Sequence, residues 1–200
     1  MSARVNRPLP LLVRRALRPL LRAAFFLRGF RVEGAERLPQ QRRRLIVIAN
    51  HAAWIDSLYF LAAVRPRFTV CGAKPRYFAT VWRRALMATL NILPVTDLPT
   101  FVTDCTALLA ANEITLIYPE MGRNAEGIGA FLTWAADVAL ASNAAILPCY
   151  IHGTTRGHTG PARLIVGREI EPDGDAAMLT DRLFTCVTSL GGISGSGAAS

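Results

Sequence analysis

The stretch Leu45-Ile46-Val47-Ile48-Ala49-Asn50-His51-Ala52-Ala53-Trp54-Ile55-Asp56 decides how this chain is read. Its first five residues are continuously apolar, the pattern of a strand buried on both faces. From Trp54 to Val64 the sequence reads as a helical run, so a strand, a short junction and a helix follow one another. On a straight helix, residues five apart point about 140° away from each other, so His51 and Asp56 could not share a face there. They meet if His51 sits at the junction and Asp56 in the first helical turn. The expected geometry is a His–Asp pair at the end of a buried strand.

The same alternation runs through the rest of the chain. Apolar runs predict strands near 45–49, 68–71, 92–95, 114–118, 145–151 and 163–166, with a short one at Arg31-Val32-Glu33-Gly34. Helical runs are expected near 54–64, 76–90, 100–111, 131–142 and 176–189. This order implies an α/β fold with a largely parallel central sheet flanked by helices. Functional side chains would then fall at strand ends and in the loops that follow. With 200 residues the chain has the length of one domain with a sizeable core. The expected division is an amphipathic membrane-associating helix over 1–29, a main domain over 30–190 and a flexible Gly/Ser tail over 191–200.

The net charge of +9 is unevenly placed. Residues 1–44 hold 12 arginines and two acids, a balance of +10, and the remainder carries −1. Between Leu11 and Leu27, Arg14, Arg15, Arg18 and Arg22 fall within an arc of about 100°, opposite Leu12, Val13, Ala16, Leu17, Leu20, Ala23, Ala24 and Leu27. Such an N-terminal basic amphipathic helix suits the headgroup layer of an anionic membrane surface, with Pro19 expected to kink it. Its apolar reverse face and lack of interleaved polar readers argue against a nucleic-acid arm. Mean hydropathy is +0.29, yet no apolar run of about 18 residues is free of charge, so no spanning helix is expected. The four cysteines are far apart and read as reduced core residues, consistent with a cytoplasmic setting. There is no Gly-x-Ser-x-Gly elbow, no Gly-rich nucleotide loop and no His/Cys cluster at metal spacing, so neither a bound cofactor nor a metal is expected.

Three later segments join the first: Ile92-Leu93-Pro94-Val95, Tyr118-Pro119-Glu120-Met121-Gly122-Arg123 and Ile146-Leu147-Pro148-Cys149-Tyr150. Together, over roughly residues 30–170, the four resemble in order and spacing the glycerolipid acyltransferases, which acylate lysophosphatidate and related lipids. The resemblance implies transfer of a fatty acyl group from a thioester of coenzyme A or acyl carrier protein to a hydroxyl of a lysophospholipid-like acceptor. His51 would be the general base and Asp56 its orienting partner, because neutral imidazole suits proton abstraction near pH 7 and a carboxylate on the other ring nitrogen sets its tautomer. Glu120 and Arg123 would help hold the acceptor's phosphate end, with Lys74, Gly122 and Asn50 as further substrate contacts. Lys74 is the single lysine of the chain and stands in Cys71-Gly72-Ala73-Lys74-Pro75. The implied setting is the cytoplasmic face of a membrane, peripheral or monotopic; the oligomeric state stays open.

The chain also departs from the family. The third segment reads Phe-Pro-Glu-Gly-Thr-Arg-Ser there, so the glycine has moved one place along, to Gly122. Asp97 falls where an arginine usually contacts the acceptor phosphate, a charge reversal at a site where arginine contacts are strong and directional. Either other bases hold the phosphate, with Lys74, Arg76, Arg83, Arg84 and Arg123 as candidates, or the acceptor is a non-phosphate molecule such as an amino-lipid, a glycolipid or a specialised metabolite. Trp134 replaces a small residue and would either reshape the pocket or pack in the core. A non-catalytic peripheral membrane protein of the same fold is the remaining rival. His152 and His158 read as loop residues.

Overall fold

The computed structural model describes residues 8–64, 67–125, 127–155 and 157–192. The side chains of residues 8–11, 76 and 89 lie outside the described set. The tail expected over 191–200 also falls almost wholly outside it.

A seven-stranded sheet forms the centre. Its strands are β1 (Arg31–Glu33), β2 (Leu45–Ala49), β3 (Phe68–Ala73), β4 (Ile92–Pro94), β5 (Ile114–Ile117), β6 (Ala145–His152) and β7 (Arg163–Val166). The spatial order is β1-β7-β6-β2-β5-β3-β4. Pairs from β6 through β2, β5 and β3 to β4 are parallel; β7 runs antiparallel to β6, and β1 lies parallel to β7. The central strand β2 is buried at every residue because both sheet faces are covered. Leu45, Val47 and Ala49 point into one core and Ile46 and Ile48 into the other, following the period of two along a strand. Truncating Leu45, Ile46 or Ile48 to alanine would cost about 2–5 kcal/mol.

The first face carries α1 (Pro8–Leu27) and α2 (Asp56–Ala63), with α3 (Val81–Thr89) against α1. The second carries α4 (Leu98–Ala110), α5 (Trp134–Ser142) and α6 (Ala176–Leu190). Phe101 and Cys105 of α4, Ala135 and Ala139 of α5, and Leu183 and Val187 of α6 close the second core. The helix expected over 76–90 is instead a 3-10 turn, Pro75–Phe78, followed by α3, because Thr80 is extended.

The N-terminal helix differs in orientation from its amphipathic reading. Pro19 lies inside α1 without ending it. The face turned to the domain carries Arg14, Leu17, Arg18, Leu21 and Phe25, so the arginine stripe is divided rather than wholly outward. Arg14 is buried, donates to the Phe68 carbonyl at 3.0 Å and lies over the Phe68 ring at 5.1 Å. Burial, with Arg67 nearby, lowers its pKa to about 10 despite the opposing pull of Glu113. Glu113 is itself buried and paired with Arg67 and Arg42. The side left in solvent is apolar: Leu12, Val13, Ala16, Leu20, Ala23, Ala24 and Leu27 are all exposed, with Arg15 and Arg22 at its border.

Candidate active site

The strand β2 delivers the site. Asn50 directly after it is buried, and its amide spans to β6: Nδ2 donates to the Ile151 carbonyl at 3.0 Å and Oδ1 accepts from the Ile151 N–H at 2.8 Å. This ties the two strand ends together and leaves His51 at the sheet edge. Asp56 opens α2, as the spacing requires, and is fully buried.

His51 Nδ1 lies 3.0 Å from Asp56 Oδ2. The same oxygen accepts the Ala52 and Ala53 N–H groups at 2.9 and 2.8 Å. A carboxylate oxygen with three donors is fixed in position, and it holds the Nδ1 proton so that the lone pair sits on Nε2. Among the described residues Nε2 has no hydrogen-bond partner. The imidazole also stacks on Tyr118, with ring centroids 4.1 Å apart and 17° between planes. The Tyr118 hydroxyl shares a hydrogen bond with Ser57 at 3.0 Å, and burial raises its pKa well above the ordinary value.

Glu120 acts on the backbone. One carboxylate oxygen accepts the His51 N–H at 2.8 Å, the other the Gly129 N–H at 2.6 Å. Burial raises its pKa, a shift these two hydrogen bonds oppose. The Asn124 N–H closes the clamp by donating to the His51 carbonyl at 2.8 Å. Asn50 and Glu120, expected as substrate contacts, therefore spend these side-chain bonds on the backbone that carries His51. The loop turns at Met121 with φ 49°, in the left-handed region, and the glycine stands one place further on at Gly122.

His51 faces a cavity of about 750 Å³. Its rim is polar, with Lys74, Tyr77, Gly122 and Arg123; Arg123 donates to the Tyr77 hydroxyl at 3.3 Å. Its depth is apolar, lined by Leu17 and Leu21 of α1, Leu58 of α2, Met87 of α3 and Leu90 at its C-terminal cap, and Val70 and Ile92 of the sheet. Sequence reasoning placed neither α1 nor α3 here, and it missed Tyr118 and Ser57. The position of Tyr118 immediately before Pro119-Glu120 was the available signal for the stacking ring. Cys71 also lines the cavity, but a hydrogen bond with Cys105 and burial push its thiol well above the ordinary range, so it stays protonated and is a poor nucleophile. Ser57 pairs with Tyr118 rather than with His51.

Other expectations resolve away from the cavity. Asp97 caps α4: it accepts the Thr100 N–H at 2.9 Å and the hydroxyls of Thr96 and Thr100. These bonds, the Thr100 N–H foremost, lower its pKa. It does not line the cavity. Trp134 packs on Phe101 with centroids 5.3 Å apart, on the opposite sheet face, so it fills core rather than pocket. His152 ends β6, and its ring meets that of His158 at 4.8 Å. Arg83 and Arg84 lie on α3 outside the cavity lining. Among the described residues no group of three His, Cys, Asp or Glu side chains could hold a metal ion, and no helix is long and apolar enough to cross a membrane.

Comparison with known proteins gives the class to which this fold and its strand-end site belong. The Acyltransferase family matches residues 29–152, more than half of the chain, and the chain belongs to that family. Among solved structures the fold is similar to that of the 1-acyl-sn-glycerophosphate (LPA) acyltransferase PlsC from Thermotoga maritima. The TM-score is 0.73 at 18% identity, covering 95% of this chain and 83% of that one. No curated protein sequence matches the chain.

Proposed function

We propose that this acyltransferase moves a fatty acyl group from a thioester of coenzyme A or acyl carrier protein to a hydroxyl of a lysophospholipid-like acceptor at the cytoplasmic face of a membrane. The observation that carries the reading is the His51–Asp56 pair with Nε2 left for a cavity whose rim is cationic and whose depth is apolar. His51 Nε2 takes the acceptor's hydroxyl proton as its oxygen attacks the thioester carbonyl. Asp56 stabilises the imidazolium so formed. The tetrahedral intermediate collapses, the C–S bond breaks, and the imidazolium returns its proton to the departing thiolate. Transfer is direct, because neither Cys71 nor Ser57 is activated as a nucleophile.

Among the described residues Lys74 and Arg123 are the bases at the cavity rim, and they would hold a phosphate headgroup. Asp97 does not weigh against such an acceptor, since its charge is engaged as a helix cap outside the cavity. The likeness to a lysophosphatidate acyltransferase fold supports the same substrate class. The apolar outer side of α1 supports peripheral attachment to the membrane that supplies the acceptor.

The test compares acceptors. Lys74→Ala is expected to raise KM for lysophosphatidate about tenfold with a smaller change in kcat, as loss of one charge-assisted contact dictates. Equal turnover of phosphate-bearing and neutral acceptors, both insensitive to Lys74→Ala, would move the reading to a non-phosphate acceptor.

A further inference from the structure

The helix α3 has an outer face that its own domain does not use. Its inner side, with Leu86 and Met87, lines the active-site cavity, as does Leu90 at its C-terminal cap. At helical spacing, Val81, Trp82 and Ala88 lie on the outer side, where Val81 is 75% and Trp82 63% exposed. A solvent-facing helical side normally carries polar residues. A second large aromatic, Trp54, is 68% exposed at the same cavity. Because α3 packs against α1, its apolar side adjoins a helix that already exposes Leu20 and Leu27.

We infer that α3 and the Trp54 loop form a second membrane-docking element, so that together with α1 they seat the mouth of the cavity on an anionic lipid leaflet. The charge pattern selects that occupant. Arg15, Arg22, Arg83 and Arg84 are exposed beside the apolar sides and have no carboxylate partner among the described residues. Two of these guanidinium groups lie over aromatic rings of the same surfaces, Arg22 over Phe26 at 4.9 Å and Arg83 over Trp82 at 5.2 Å. Apolar side chains bordered by guanidinium groups free of carboxylates match the acyl and headgroup layers of anionic lipid. A second copy of the chain would bring the same cations face to face across a two-fold axis. Nucleic acid would leave Val81 and Trp82 in water. Seated in this way, acceptor and acyl chain reach His51 laterally from the lipid without crossing water. The inference rests on the preceding proposal only for the identity of the lipid that enters.

The test is partition of the purified protein, without substrate, onto phosphatidylcholine vesicles with and without phosphatidylglycerol. Binding is expected to need phosphatidylglycerol and to weaken with salt. The variant Val81→Ser/Trp82→Ser, which alters no cavity residue, should partition at least about tenfold more weakly while its turnover of a water-soluble short-chain acceptor is unchanged. Arg83→Glu/Arg84→Glu should do the same through charge. In a Trp54→Phe/Trp134→Phe background, brominated phosphatidylcholine should quench Trp82. Partition of both variants equal to the parent's would overturn the inference. So would a dimer in solution that Val81→Ser/Trp82→Ser dissociates. Because partition is read without catalysis, docking can hold even where the acceptor assignment fails.

Discussion

Replacing Asp56 by asparagine removes a charge and little else. Oδ2 receives three hydrogen bonds, from Nδ1 of His51 and the amides of Ala52 and Ala53, and an amide oxygen in its place would accept all three. Among the described residues Asp56 Oδ1 has no hydrogen-bond partner. The amide nitrogen would take that position, a buried unsatisfied donor costing stability of about 1–3 kcal/mol. The kinetic effect is larger. In the ground state the imidazole is neutral, whereas in the transition state it carries the acceptor's proton beside the carboxylate. With charge centres about 4 Å apart and an effective dielectric of about 20, that attraction is about 4 kcal/mol. Because it develops only in the transition state, it falls on kcat, a loss of about a thousandfold, with KM for both substrates little changed. The assay is initial-rate acyl transfer followed by mass spectrometry, with circular dichroism to confirm folding. A folded Asp56→Asn protein that keeps kcat within about tenfold of the parent would refute this electrostatic role.

Two other side chains make separable predictions. Glu120→Gln should reduce kcat about tenfold, because its amide oxygen can accept only one of the His51 and Gly129 N–H groups while its NH2 confronts the other. The raised pKa of Glu120 means that its neutral form stabilises the fold below the ordinary carboxylate range and that this stability is lost as pH rises through the raised value. Melting temperature against pH should therefore be flatter in Glu120→Gln across that window. Asp97→Ala should lower Tm by about 2–4 °C at neutral pH through loss of the α4 cap, leaving acceptor KM unchanged. The lowered pKa of Asp97 places its stabilisation above the ordinary carboxylate range. The difference between parent and variant should then vanish as pH falls through that lowered value.

Local patterns told most about the fold and the dyad. The apolar run Leu45–Ala49 marks β2 to the residue, and the five-residue spacing forces His51 off the helix that Asp56 opens. Contacts between distant segments were less legible. Asn50 and Ile151 are 101 positions apart and Glu120 and His51 69 apart, so both polar side chains read as free for substrate when each was already engaged by backbone. Arg14 shows the same limit: helical geometry put it on a basic stripe, but only the fold reveals the Phe68 carbonyl and ring that let a guanidinium be buried. Asp97 was legible in another way. The order Thr96-Asp97-Leu98-Pro99 before an apolar helical run is an N-cap signature with proline in the first turn. Alignment with a family arginine obscured it.

The central claim is that His51, held by Asp56, is the base of an acyl transfer to a lipid hydroxyl. The most direct measurement is mass-spectrometric detection of product from the purified protein on anionic liposomes. Acyl-coenzyme A or acyl carrier protein would be offered with lysophosphatidate and a pool of other lipid acceptors, and His51→Ala would run alongside. The account predicts an acylated lysophospholipid from the parent, none above background from His51→Ala, and no acyl-enzyme adduct. Equal product from His51→Ala, or silence from the parent with both donors and every acceptor while it still binds the liposomes, would contradict it.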